Sequence, residues 1–523
     1  MVLLAYTYLS YQLLNLQSYI LLFKQIHKFL LFEGRISMLL KEVPVQHISQ
    51  HISIEMVNDL NLNPDLLNSY LIALEGWRRG LTVRWHSQFN QGSKFNNITA
   101  PLKRGQLFSL STKQSTHYFV DSLGDLNLES INVLLNKDKI NDILKSRGLN
   151  IVEEKAQNLV KEYRLYVLDK EVIGALEVKS PYIIGDGLHT INELIENKNK
   201  WRKDNPNYNR YIPVDDYFQK SLSENGYELD EVLDKDVKLF LNDFSKRRIK
   251  KDTYGIINDL SNEIVNMAID VTQAIPELSH GEIRIVADQN FNYYVSGINI
   301  VPRISDYMFP LYGEPSNISK AIIDLYFPET NSYDTYKLNN VYFPLESILE
   351  SLQNQTANTF TVSPAPKEPV ISRKFIIQGD VLSYSYHLGL RKELFERDLF
   401  GKITSLKNRR LEIIVSGTDE SLIDDFKKSI FSYPKRAKVK KIQELPFDGG
   451  VKIGVEIKTG KFKRQRKALR LQRSLDKVSD ELYNLEVEHA NYINSISWKI
   501  TYPLRKFTRI FKRERLKRVF PFL

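Results

Sequence analysis

Residues 159–195, LVKEYRLYVLDKEVIGALEVKSPYIIGDGLHTINELI, admit few folds. Two apolar, partly alternating runs, Tyr163 to Leu168 and Val172 to Val178, flank Asp169-Lys170-Glu171, which is the pattern of a β-hairpin. Ile184-Gly185-Asp186-Gly187 then supplies two glycines for positive φ. Thr190 is placed to cap a helix, with Glu193 three residues on completing a capping box over Ile191, Leu194 and Ile195. The stretch therefore predicts strand, turn, strand, Gly-Asp-Gly loop and helix.

A chain of 523 residues is long enough for two to four domains. Its hydrophobic fraction of 42% supports packed cores. There is no cysteine, which excludes disulfides, thiolate zinc sites and cysteine nucleophiles together. The net charge of +10 is uneven: nine basic residues between Lys499 and Arg518 stand against Glu514. The body is then nearly neutral, and a nucleic-acid footprint over the whole protein is not expected.

The Glu-Tyr-Arg of residues 162–164, the hairpin and the IGDGLHTINELI segment resemble the ATP-grasp ligases, specifically the glutathione-synthetase and cyanophycin-synthetase-like branch. The resemblance runs over roughly residues 46–330, with an N-terminal α/β domain at 46–155 and an ATP-grasp C-terminal-type subdomain at 156–330. In the first of these, SYLIALEGWRRGLTVRW reads as an amphipathic helix stopped by Gly80, then a β-rich run, a βαβ-like start. The resemblance implies ATP contacts from Lys139, Arg164 and Asp186. A solvated lysine in the first turn of a helix is the other reading of Lys139.

An active member would phosphorylate a carboxylate with MgATP and let an amine displace the phosphate. Several groups that the resemblance calls for are replaced. The small lid that should follow Ile151 is missing, because IVEEK passes directly to AQNLVKEYR. The substrate loop with its glycines and strand arginine is LFLNDFSKRRIKKD instead. Of the magnesium ligands, Asn299 matches, with Glu282 as a displaced carboxylate; Gly297 and Arg284 stand where a glutamate and an aspartate are expected. A degenerate, non-catalytic member is thus expected, and an active ATP- and magnesium-dependent ligase is the alternative.

Residues 331–370 are rich in Asn, Ser, Thr and Pro and read as a linker with a short helix near Leu345–Leu352. Residues 371–458 give the order βαββαβ, a ferredoxin-like sandwich whose last strand is VKIGVEIK. It resembles acylphosphatase, whose phosphate-binding arginine and water-orienting asparagine fall on Ser383 and Ser405; hydrolysis by that route is not expected without a cation on the phosphoryl oxygens.

The fold class is therefore a multidomain α/β and α+β chain: a degenerate ATP-grasp fold, an acylphosphatase-like sandwich and a C-terminal helical tail. Leu471, Leu475, Val478, Leu482 and Leu485, continued by His489, Tyr492 and Ile496, form a short coiled-coil seam over 471–496, suited to a homodimer or to packing on the protein itself. Residues 499–523 interleave aromatics with cations, as an interfacial helix on anionic lipid does; RNA is the alternative partner. The Ser-Trp-Lys-Ile-Thr-x-Pro-Leu-Arg stretch is similar to segments beside glycosyltransferases of cell-surface polysaccharide assembly, which implies capsule or envelope work at the cytoplasmic face of the membrane. At the other end, residues 1–45 are an apolar extension: residues 2–23 carry no charge and fit a membrane-associated helix, a helix packed on the body, or a stretch ahead of a start at Met38. His47 and His51 share a helical spacing without a third ligand nearby and read as ordinary histidines.

Overall fold

The computed structural model describes residues 56–57, 60, 64–87, 105–124, 137–152, 159–208, 211–276, 278–353, 356–432 and 437–458, with Leu475, Leu482 and Leu485. The expectations for residues 2–23, for His47 and His51, for the tail 499–523 and for most of the 471–496 seam lie outside the described residues. Among the described residues, no helix is long and apolar enough to cross a membrane.

In chain order, helix α1 (Pro64–Arg78) leads to strands β1 (Thr82–His86), β2 (Leu107–Ser111), β3 (Thr116–Val120) and β4 (Leu123–Gly124), then to α2 (Lys137–Ser146). The predicted hairpin is β5 (Leu159–Leu168) and β6 (Glu171–Lys179), followed by β7 (Tyr182–Ile184) and α3 (Ile191–Asp204). Next come α4 (Asp216–Glu224), β8 (Lys238–Phe240), β9 (Asp252–Gly255), α5 (Asn262–Ala274), β10 (His280–Asp288), β11 (Tyr293–Asn299), α6 (Ile304–Met308), β12 (Tyr312–Gly313) and α7 (Ile318–Tyr326). Strand β13 (Val341–Tyr342), α8 (Leu345–Gln353) and β14 (Thr359–Thr361) precede β15 (Ile371–Asp380), α9 (Tyr384–Glu396), β16 (Phe400–Ser405), β17 (Arg410–Gly417), α10 (Glu420–Ser432), β18 (Lys438–Pro446), β19 (Val451–Lys452) and β20 (Val455–Lys458).

The hairpin turns on two residues rather than three. Asp169 and Lys170 both take positive φ, 44° and 70°, which matches the twist of the flanking strands. The capping box forms: the Glu193 amide donates to Thr190 Oγ1, and the Thr190 amide donates to Glu193 Oε2 at 2.8 Å. Of the two loop glycines only Gly187 has positive φ, 73°. Gly185 is needed for close approach, since a Cβ there would lie 2.0 Å from the Asp234 carbonyl oxygen.

The central sheet has the order β11-β10-β5-β6-β9-β12, antiparallel except at the β9/β12 edge. One face packs Tyr163, Leu165, Val167, Ile283 and Ile285 against Leu144 of α2 and Ile264, Ala268 and Val271 of α5. Residues 182–249 form a lobe with its own core around Ile183, Ile191, Phe218 and Leu233.

Three further expectations are corrected. First, α1 is not amphipathic: residues 67–79 are all buried, and its polar side chains are paired, Asn68 with Asp121 and Arg79 with Glu75 and Asp324. The layer it starts is an antiparallel sheet, β14-β1-β2-β3-β4, rather than a βαβ unit. Second, residues 331–370 are not a linker. Phe343 packs 4.9 Å from Tyr70 and 5.5 Å from Trp77, the Trp77 indole N–H donates to the Ser363 carbonyl at 2.6 Å, and β14 pairs with β1. Third, the fourth strand of the sandwich is β18. The order β18-β15-β17-β16 is the ferredoxin-like one, and VKIGVEIK divides into β19, which pairs with β13, and β20, a parallel edge beside β16.

A buried histidine makes the fold acid-sensitive. His280 is fully buried, its Nδ1 lies 2.8 Å from the Tyr166 hydroxyl, and burial pushes its pKa down to about 4. The unfolded chain takes up this proton near pH 6.5 and the folded chain only near 4, so stability present at neutral pH falls as pH drops through that window. The expected loss by pH 4 is about 3 kcal/mol. Urea unfolding at pH 7 and pH 4.5 checks it; a His280→Gln variant with an unchanged slope would assign the effect to other groups.

Candidate functional site on the central sheet

Alternation along β5 sends Tyr163, Leu165 and Val167 into the α5 core and leaves Glu162, Arg164 and Tyr166 on the opposite face. The same parity puts Glu282 and Arg284 of β10 on that face. The register then aligns Arg164, Arg284 and Gly297 in one row across three strands, and Tyr166, Glu282 and Asn299 in the next.

Arg164, Lys251, Arg284 and Lys250 each meet a carboxylate on this face. Arg164 donates to Glu162 Oε1 from Nε (3.0 Å) and Nη2 (2.8 Å). Lys251 reaches Glu162 Oε2 at 2.6 Å. Glu282 is 3% exposed; its Oε1 accepts from Arg284 Nε at 2.8 Å and from Asn299 Nδ2 at 3.5 Å, and its Oε2 from the Tyr307 hydroxyl at 3.0 Å. Lys250 meets Asp306 Oδ1 at 2.8 Å and the Asn207 carbonyl at 3.2 Å.

The electrostatics follow from these contacts. Burial opposes the Arg164 charge, but Glu282, Glu162 and Asp306 outweigh it and hold the guanidinium above its ordinary pKa. Burial also opposes ionisation of Glu162, and Lys251 and Arg164 overcome it, so its carboxyl is held below the ordinary range. Burial lowers Lys250, with Arg303 and Arg202 adding to the effect against the pull of Asp306. Burial and Glu282 push the Tyr307 hydroxyl well up, so it acts as a hydrogen-bond donor.

Of the residues expected at a nucleotide site, the structure brings Arg164, Glu282 and Asn299 together. Asp186 is elsewhere: it lies in the exposed turn before α3, accepting from the amides of Leu188 (2.9 Å) and His189 (2.8 Å) and from His189 Nδ1 (2.6 Å). Those bonds from His189, with that from Leu188, hold its carboxyl below the ordinary range. Lys139 is exposed in the first turn of α2, a helix packed on the sheet face opposite Arg164. In the sandwich, Ser383 caps α9 by accepting from the Tyr386 amide, and Ser405 ends β16. Sequence reasoning gave Glu162 no role in the site, although it stands in the Glu-Tyr-Arg motif, and missed Lys250, Lys251, Asp306 and Tyr307. Glu162 was legible from strand alternation alone, whereas Lys251 and Lys250 meet partners 89 and 56 residues away.

Magnesium does not fit these residues. A hard cation needs several oxygen ligands. Here the carboxylate of Glu282 is already engaged by Arg284 and Tyr307, and the guanidinium of Arg284 adds positive charge where the ion would bind. Among the described residues, no group of three or more His, Asp or Glu side chains is placed to hold a metal ion.

Fold and site together define a multidomain α/β chain whose central antiparallel sheet carries a cation-rich polar face, joined to a ferredoxin-like sandwich. No family model matches it. Over 175 residues, 32% of the chain, it is 25% identical to the glutathione biosynthesis bifunctional protein of Clostridium perfringens, of which 22% is covered. Over 196 residues, 35% of the chain, it is 26% identical to cyanophycin synthetase of Synechocystis, again covering 22%. These relatives are ATP-grasp ligases, so the relationship to that class covers about a third of this chain and less than a quarter of the length of each relative. Among solved structures, acylphosphatase from Bacillus subtilis is matched at a TM-score of 0.16 and 20% identity over 17% of this chain and 99% of that one.

Proposed function

We propose that this is an ATP-grasp carboxylate–amine-ligase-like protein that no longer catalyses ligation and serves as a binding or interaction component of capsule or envelope polymer production. One observation carries the reading: the guanidinium of Arg284, which the resemblance sets where a magnesium-binding aspartate is expected, is hydrogen-bonded to Glu282. In that position a cation is repelled where phosphoryl transfer requires one. The sandwich is a spacer or binding domain in this reading, because Ser383 serves as a helix cap and carries no charge for an acyl phosphate.

The retention of Arg164 and Asn299 on one sheet face favours a second reading, an active ATP- and magnesium-dependent ligase. Isothermal titration with MgATP decides between them. The expected result is no micromolar, magnesium-dependent binding. Such binding abolished by Arg164→Ala, or ATP turnover with any acid and amine pair, returns the protein to the working ligases.

The composition of residues 499–523 supports attachment to anionic membrane at the cytoplasmic face. Leu475, Leu482 and Leu485 are helical and exposed, which supports pairing of two copies through the 471–496 seam. Removing residues 499–523 is expected to abolish co-sedimentation with anionic liposomes, and undiminished binding would exclude the tail.

A further inference from the structure

We propose that the paired guanidiniums of Arg164 and Arg284 form a receptor for an oxyanion, phosphate or carboxylate, that binds without a divalent metal. This rests on the non-catalytic reading of the same sheet face and names its ligand.

The two arginines sit directly opposite each other on β5 and β10. Like charges so placed repel, and the carboxylates present relieve them unequally. Arg164 is held by Glu162 through Nε and Nη2, at 3.0 and 2.8 Å. Arg284 is held at Nε, 2.8 Å from Glu282 Oε1, and its two terminal nitrogens make no hydrogen bond among the described residues. Its side chain is 41% exposed, so those donors are accessible.

The space beside them is open. On the far side of Arg284 the register places Gly297, where an added Cβ would meet nothing within 4 Å. Glycine puts no side chain there to neutralise Arg284. Lys251 adjoins Glu162, and Lys250 adjoins Asp306 with Arg303 acting on it electrostatically. Arg164, Arg284, Lys250, Lys251 and Arg303 thus outnumber Glu162, Glu282 and Asp306, so the patch is net positive.

The planar fork of a guanidinium matches the geometry of carboxylate and phosphate oxygens and stays charged at any physiological pH. Arg284 contacts the anion directly, through its two terminal nitrogens. The covalent tie of the cation to the chain removes the need for a free ion, and the ligand is held rather than activated.

The test is isothermal titration of the full chain with inorganic phosphate and, separately, with malonate, each in EDTA and in excess Mg2+. Saturable binding of at least one probe in EDTA is expected, unchanged by Mg2+, and whichever probe binds identifies the oxyanion. Arg284→Gln should weaken it about tenfold or more, as loss of a charge-assisted hydrogen bond requires. Arg284→Lys, which keeps the charge without the fork, should fall between, and carries the test if the glutamine variant melts early. Binding that needs Mg2+, binding indifferent to both substitutions, or no saturable binding of either probe overturns the proposal. In the last case an absence of ATP turnover leaves the non-catalytic reading standing; turnover of MgATP removes that reading instead.

Discussion

Replacing Asp252 by alanine is expected to destabilise the protein by about 3–5 kcal/mol, the cost of leaving buried charge without its partner. Asp252 is fully buried at the start of β9, and its two oxygens meet Arg202 Nη1 at 2.5 Å and Lys198 Nζ at 2.7 Å. Both cations come from α3, and both are buried. Tyrosine rings flank them: Arg202 stacks 4.5 Å from the Tyr208 centroid, and Lys198 lies 5.4 Å from those of Tyr182 and Tyr312. Without the carboxylate, two positive charges remain in a space that water does not reach.

The consequence extends to the sheet face, because Lys250 and Lys251 immediately precede Asp252 and hold Asp306 and Glu162. Urea unfolding of Asp252→Ala against the parent measures the loss. Simultaneous Lys198→Met and Arg202→Met in the alanine background should recover much of it, since apolar replacement of a whole buried ion cluster is often neutral. A loss under about 1 kcal/mol would mean that the cluster is hydrated.

Phe343→Ala should cost a similar amount, about 3–5 kcal/mol, as phenylalanine truncations in packed cores do. Phe343 is fully buried between Tyr70 and Trp77, and its own carbonyl accepts from the Tyr70 hydroxyl at 2.7 Å. A position in a linker would show almost no effect. Phe395 of α9, 78% exposed, is the control, and its alanine variant should stay within about 0.5 kcal/mol of the parent. Equal, small effects at the two positions would put residues 331–370 back outside the core.

These two sites separate what the chain writes locally from what it does not. The β5/β6 hairpin, the Thr190 to Glu193 capping box and the βαββαβ order of residues 371–446 each rest on contacts a few residues apart or on a period of two, and each was legible. The exchange of strand roles between Lys438–Pro446 and VKIGVEIK shows the limit, since β18 is more polar than the segment that displaced it from the expectation. A strand at one edge of a sheet, with few residues facing the core, leaves a weak alternation signal.

By itself the sequence determined the local elements and the absence of thiol chemistry, both of which follow from residue type and spacing. Tertiary structure alone decided that Thr359–Thr361 closes a sheet on Thr82–His86, that Phe343 fills the core beside α1, and that Lys250 and Lys251 supply charge to the face carrying Arg164. The physical reason is separation along the chain: a capping bond is encoded within four residues, whereas an ion pair spanning 89 residues exists only after strand register and helix packing have brought its ends together.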